Sequence, residues 1–145
     1  MTIKTPKSKK DFERYYGFRW EKLRKKWNQP RGTEKDNLEN ESIHLMLMNK
    51  KEIIGVGRVH FIVNNLVKKA QIRYMAIDER FQNKGYGSLL LSELEKIAKN
   101  NNVSYVFLHA REKAVNFYMK NNYNKNKKSH FLFNAIQHWL MDKKI

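Results

Sequence analysis

The chain of 145 residues contains no cysteine. Disulfides, thiolate metal sites and a cysteine nucleophile are therefore excluded. No apolar run approaches the ~20 residues that cross a bilayer, and the opening MTIKTPKSKK lacks the apolar centre of a secretory leader. A cytoplasmic protein without a membrane partner is expected. Acidic residues are also scarce, 14 against 30 Lys and Arg, which leaves a formal net charge of +16. Such an excess suits a polyanionic partner such as nucleic acid, or a phosphate-bearing ligand. It has a second source, because 22 of the 30 are lysine and the chain is rich in Asn, Ile, Tyr and Phe, as an AT-rich coding sequence would produce. Charge alone names no partner.

With 41% apolar residues, a chain of this length can bury a core without staples, so one domain over 1–145 is expected. Ser8 and Asp11 form a capping-box pattern opening a helix from Phe12 through Trp27, and Gly17 predicts a kink or a break in it. The polar stretch 31–42 reads as a loop with at most one helical turn. Strands follow at 43–49, 52–63 and 69–77, with Asn49-Lys50-Lys51 and Asn64-Asn65 as turns, which makes an antiparallel meander. In the third strand, strict alternation puts Ile72, Tyr74 and Ala76 on one face. From Ser88 the period becomes helical through Leu90, Leu91, Leu94, Ile97 and Ala98, and the helix stops at Asn100-Asn101-Asn102. Residues 104–110 read as a buried strand, parallel to the strand before the helix. A helix over 111–121 ends at Asn122, and the tail to Ile145 holds short strands at most.

Two glycines, Gly85 and Gly87, stand at the start of the leucine-rich helix in 82-QNKGYGS-88. Each costs roughly 1 kcal/mol inside a helix, so their place needs a reason. A strand, a glycine turn and a helix N-terminus together let backbone N–H groups approach an anion such as phosphate or pyrophosphate. A tight turn alone is the competing reading of the glycines. The spacing is neither a Walker A loop nor a Rossmann fingerprint.

The segment 82-QNKGYG-87, following 74-YMAID-78, resembles the Q/R-x-x-G-x-G/A signature of the GNAT superfamily of acyl-CoA-dependent N-acyltransferases. Downstream, 110-AREKAVNFYMKNNY-123 is similar to that family's Phe-Tyr helix. The segments 20-WEKLRKKW-27, 44-HLM-46, 55-GVGR-58 and 136-IQHWLM-141 resemble the ElaA-type branch. The resemblance implies an α/β (α+β) fold: a central mixed, mostly antiparallel sheet flanked by helices and splayed between strands 69–77 and 104–110. It implies acetyl-CoA as acyl donor, with no metal. The diphosphate would lie on Gln82, Asn83, Lys84, Gly85, Tyr86, Gly87 and Ser88, chiefly through main-chain N–H groups. The pantetheine arm would lie along Met75, Ala76 and Ile77, with Phe117 and Arg111 also in the cofactor site. Arg111 replaces a common asparagine, and Asn122 replaces a glycine.

Transfer of an acyl group to an amine needs a neutral amine, a polarised carbonyl and a proton for the thiolate. By resemblance, Tyr118 supplies that proton and a backbone N–H near Met75 or Ile77 polarises the carbonyl. Where histone-type members carry a glutamate base, this chain has Gln71, which cannot accept a proton usefully. His44, His60, His109, His138 and Glu41 are the alternatives, His138 foremost for its place in the ElaA-like segment. The expected acceptor is a small-molecule or peptide amine. An aminoacyl-tRNA acceptor and a basic nucleic-acid-binding module remain as alternatives, the latter requiring aromatics interleaved with basic residues on one sheet face. A homodimer is left open.

Overall fold

The computed structural model describes residues 1–145. Its strands are β1 (Thr2–Lys4), β2 (Ile43–Asn49), β3 (Glu52–Asn64), β4 (Val67–Ile77), β5 (Tyr105–Arg111), β6 (Asn124–Leu132) and β7 (Ile136–Lys144). Its helices are α1 (Lys9–Leu23), α2 (Tyr86–Asn100) and α3 (Val115–Lys120). The strands hydrogen-bond in the order β1-β2-β3-β4-β5-β7-β6 as one mixed seven-stranded sheet. The contacts divide into two compact units, Met1–His60 with Tyr74–Leu94, and Phe61–Arg73 with Glu95–Ile145.

In the first unit, α1 starts as expected: the Ser8 hydroxyl accepts from the Asp11 N–H at 3.0 Å and the Asp11 carboxylate accepts from the Ser8 N–H at 3.3 Å. The helix runs unbroken through Gly17, so the expected division into two helices does not occur. Tyr15, Phe18 and Arg19 around it are buried, and that anchoring outweighs the ~1 kcal/mol a helical glycine costs. The helix stops at Leu23, and Lys25–Trp27 form a separate 3-10 turn. Tyr15 and Phe18 pack with Met46, Met48, Ile53 and Val56, with Phe12, Tyr16 and Ala76 at the margin. Alternation points Gly57 of β3 the other way, toward α2. A Cβ there would sit 2.8 Å from Leu94 Cδ1, so the glycine leaves room for the Leu94 side chain against the strand. Leu90, Leu91 and Leu94 are buried by this approach, worth ~1.5–3 kcal/mol each.

In the second unit, β4 and β5 run parallel with two registered pairs, Ala70 with Val106 and Gln71 with Phe107. Each strand continues past the last pair, in keeping with a splayed sheet. β5 is not buried throughout, as its sequence suggested. Only Val106, Leu108 and Ala110 are buried, while the intervening residues are half-buried. Residues 111–121 are not one helix, because Arg111 still belongs to β5 and Glu112–Ala114 form a 3-10 turn before α3. Asn122 takes the expected left-handed conformation at φ 70°. The tail forms two nine-residue strands, of which β7 inserts between β5 and β6. β6 is a lysine-rich edge strand, so it shows no apolar alternation to announce it. Lys143 of β7 and the Tyr123 hydroxyl both bond Glu95 of α2, at 3.0 and 2.8 Å.

Candidate active site

β4 ends at a turn that is fixed from several sides. The Asp78 N–H donates to Ile54 O at 2.8 Å, and its carboxylate accepts from the Arg80 N–H and Nε at 2.9 and 3.0 Å. Those bonds, led by the Arg80 side chain, hold the Asp78 carboxyl down at about 2. Lys22 of α1 bridges to Glu79 at 2.8 Å and to Asp78 at 3.4 Å. Gln82 donates its side-chain N–H to Ile77 O at 2.9 Å and so closes the turn onto the strand end.

Beyond this anchor the backbone takes two left-handed steps, Asn83 at φ 60° and Gly85 at φ 86°. A Cβ on Gly85 would meet nothing within 4 Å. Gly85 is therefore required by backbone conformation, and the space before it is open. Gln82, Asn83, Lys84 and Gly85 are exposed, and Tyr86, Gly87 and Ser88, in the first turn of α2, are half-buried. The opening N–H groups of a helix have no partner within it, so together with the glycine turn they suit a diphosphate. These residues fit the phosphate end of CoA.

β4 carries a feature that alternation did not announce. Tyr74 has φ 56°, a conformation unusual for a bulky residue in a strand. Its ring is buried beneath three guanidinium groups, with Arg19, Arg58 and Arg24 at 4.2, 5.0 and 5.6 Å from the centroid. This packing supports the strained backbone just before Met75, Ala76 and Ile77, all half-buried.

The same arginines organise the loop before β2. Glu39 accepts from Arg19 at 2.9 Å through one oxygen and from Arg58 at 2.9 Å through the other. Arg58 also grips Asp36 with two bonds, 2.7 and 2.9 Å. Arg19 and Arg58 are fully buried. Sequence reading missed this network, though an arginine at an alternating position of apolar β3 was a signal that a carboxylate had to reach it.

His44 belongs to this framework and is removed from the candidate bases. Its Nε2 donates to Glu39 O at 2.8 Å, and its Nδ1 accepts from the Tyr15 hydroxyl at 2.9 Å. Burial lowers its pKa further. His60 is buried with Nδ1 3.2 Å from Arg58, and Glu41 is exposed at the end of a 3-10 turn.

The remaining candidates lie in the second unit. Tyr118 is buried, edge-on to Phe117 at 5.0 Å and to Tyr123 at 5.7 Å. Burial pushes its phenol up to about 12, against the opposing pull of Arg111. Arg111 is paired directly with His138 across β5 and β7. His138 is buried, stacks on His130 at 4.1 Å, and bonds Ile136 O through Nδ1 at 3.1 Å. Burial first, then His130, Arg111 and His109, bring it down to about 4. His109 is half-buried and lowered by burial, His130 and Arg73. Arg111, Phe117, Tyr118 and His138 are thus gathered in one unit.

The acetyltransferase (GNAT) family matches residues 12–123. An uncharacterized N-acetyltransferase of Bacillus subtilis, YjcF, is 29% identical over 119 residues, 82% of each chain. Escherichia coli ElaA has the same fold, with a TM-score of 0.80 at 15% identity over 99% of both chains. So does a Bacillus subtilis acetyltransferase solved in complex with CoA, with a TM-score of 0.77 at 14% identity over 99% of this chain and 97% of that one.

Proposed function

Because the chain belongs to the acetyltransferase (GNAT) family, and so is an acyl-CoA-dependent acyltransferase, we propose that it acetylates a primary amine of a small molecule or protein by direct attack within a ternary complex. The observation that carries this is the turn 82–88, where left-handed Asn83 and Gly85 and an open approach precede the N-terminus of α2. Acetyl-CoA supplies an activated thioester carbonyl. In the reaction the amine nitrogen bonds to that carbon, the carbon–sulfur bond breaks, the amine loses a proton and the thiolate gains one.

Backbone N–H groups of residues 83–88 hold the diphosphate, and Met75 to Ile77 present main-chain groups to the pantetheine arm. The backbone reversal at Tyr74 supports this role, since a positive φ turns the following N–H out of the regular ladder. That N–H polarises the carbonyl, a contribution that needs no particular side chain. Tyr118 gives its proton to the departing sulfur. With its pKa raised to about 12 by burial, it stays protonated throughout the neutral range.

His138 takes the amine proton, directly or through water. Burial keeps it neutral at pH 7 and therefore able to accept a proton. Arg111, its cross-strand neighbour, offers charge-assisted donors to the cofactor.

The test is release of free thiol from acetyl-CoA in the presence of a panel of primary amines and peptides. Release that depends on an amine, with the acetylated product found by mass spectrometry, is the expected result. Thiol release at the same rate with and without every amine would contradict the proposal.

A further inference from the structure

The second unit presents a sheet face of which the acyl-transfer chemistry uses only the end carrying Arg111 and His138. That unit holds 13 Lys and Arg against three acidic residues, Glu95, Glu112 and Asp142. Register decides which side chains share the face. Gln71 pairs with Phe107, so Lys69, Gln71 and Arg73 of β4 lie on the side of Tyr105, Phe107 and His109 of β5. Tyr105 pairs with Lys144, Phe107 with Asp142 and His109 with Leu140, and Leu140 with Lys127, which carries the face across β7 to β6. Contacts agree with the register: the Lys69 ammonium lies 5.4 Å from the Tyr105 centroid. Val106, Leu108 and Ala110 point the other way and are buried.

The rings on this face are half-buried and ordered. Tyr105 and Phe107 lie near-parallel, 27° apart with centroids separated by 6.5 Å, and His109 stands edge-on to Phe107 at 6.3 Å. Arg73, Lys127 and Lys144 are exposed around them, and Lys69 is half-exposed. The one acid on the face, Asp142, is already engaged, accepting from the Tyr105 hydroxyl at 2.6 Å and from Asn126 at 2.7 Å. Both bonds dilute its charge at the rim and fix the orientation of the Tyr105 ring.

We propose that this face binds single-stranded RNA. A row of flat rings ringed by cations matches a strand whose bases are unstacked and whose phosphates run alongside. A duplex hides its base faces and could use only the cations. Between Lys69 and Arg73 on the same face, the Gln71 amide offers a donor and an acceptor together, the pair that a ribose 2′-hydroxyl can satisfy and a deoxyribose cannot. Binding along Lys69, Gln71, Tyr105 and Phe107 needs no acetyl-CoA, so loss of RNA binding leaves the acyl-transfer reading standing.

The test is fluorescence anisotropy with a labelled single-stranded RNA of about 12 nucleotides and mixed sequence, set against the blunt duplex and the DNA strand of the same sequence. The single-stranded RNA should bind best. Tyr105→Leu with Phe107→Leu keeps apolar bulk but removes both stacking platforms, and should weaken binding on the order of tenfold or more. Lys127→Gln with Lys144→Gln alters only exposed positions, so the fold is kept. It should lower the slope of log K against log salt by about 1.4, the contribution of two phosphate contacts on a single strand. Equal affinity for duplex or DNA, unchanged affinity in both variants, or no RNA binding would overturn the proposal. So would a dimer in sedimentation that the leucine variant dissociates, since the face would then serve a second copy of the chain.

Discussion

Glu39 and Arg19 are bonded at 2.9 Å in the interior of the first unit, and the second carboxylate oxygen of Glu39 holds Arg58 at the same distance. Glu39 thus bonds both fully buried cations, with Asp36 as a second acid on Arg58, and it joins the loop before β2 to both α1 and β3. Glu39→Gln keeps the shape and removes the charge. We expect it to cost ~3–5 kcal/mol, the range for breaking a buried ion pair from one side. Urea denaturation measures this, and a loss below about 1 kcal/mol would mean that Asp36 alone balances the arginines.

Stability should fall on the acid side of neutrality as buried histidines are forced to protonate. His138 protonates at about 4 in the folded chain but near 6.5 when unfolded. Between those values the unfolded chain binds more protons, so stability is fully present above pH 6.5 and is lost as pH falls toward 4. His44, His109 and His130 are shifted in the same direction. A melting curve at each pH tests this, and His138→Phe, which keeps a ring against His130, should flatten the slope between pH 6.5 and 4. An unchanged slope in that variant would assign the acid sensitivity to the other histidines.

Tyr118→Phe retains the packing against Phe117 and Tyr123 and removes one hydroxyl. If that hydroxyl protonates the leaving thiolate, kcat should fall by ~10²-fold while CoA affinity changes little. The parent enzyme should also stay active well above neutral pH, because burial holds the phenol protonated to about 12. A kcat within about twofold of the parent would leave water as the acid.

Much of this was legible in the sequence wherever a local rule decided the outcome. The Ser8–Asp11 cap, the meander, the glycine turn and α2 each rest on short-range chemistry, and each lies where periodicity put it. The failures were tertiary. Gly17 suggested a break that burial of its neighbours prevents, and β6 gave no period because an edge strand need not bury a face. Tyr74 obeyed alternation in sequence while its backbone turned left-handed, a departure supported by arginines from three other segments. The interleaved aromatic and basic face excludes Tyr74, which is buried on the other side of β4, while Lys69 and Arg73 share it with the rings of β5. Its rings went unread because the apolar run of β5 concealed the alternation of buried and half-buried residues.

The most direct test of the central claim is calorimetric titration of CoA into the parent and into Gly85→Glu. At φ 86° and with open space ahead, a glutamate here fills the approach with negative charge and strains the turn without touching the core. Circular dichroism of the variant checks that the rest of the fold is retained. The account predicts saturable binding of CoA by the parent and none measurable by the folded variant. Equal affinity in both proteins would contradict it, and the turn at residues 82–88 would then be only a turn.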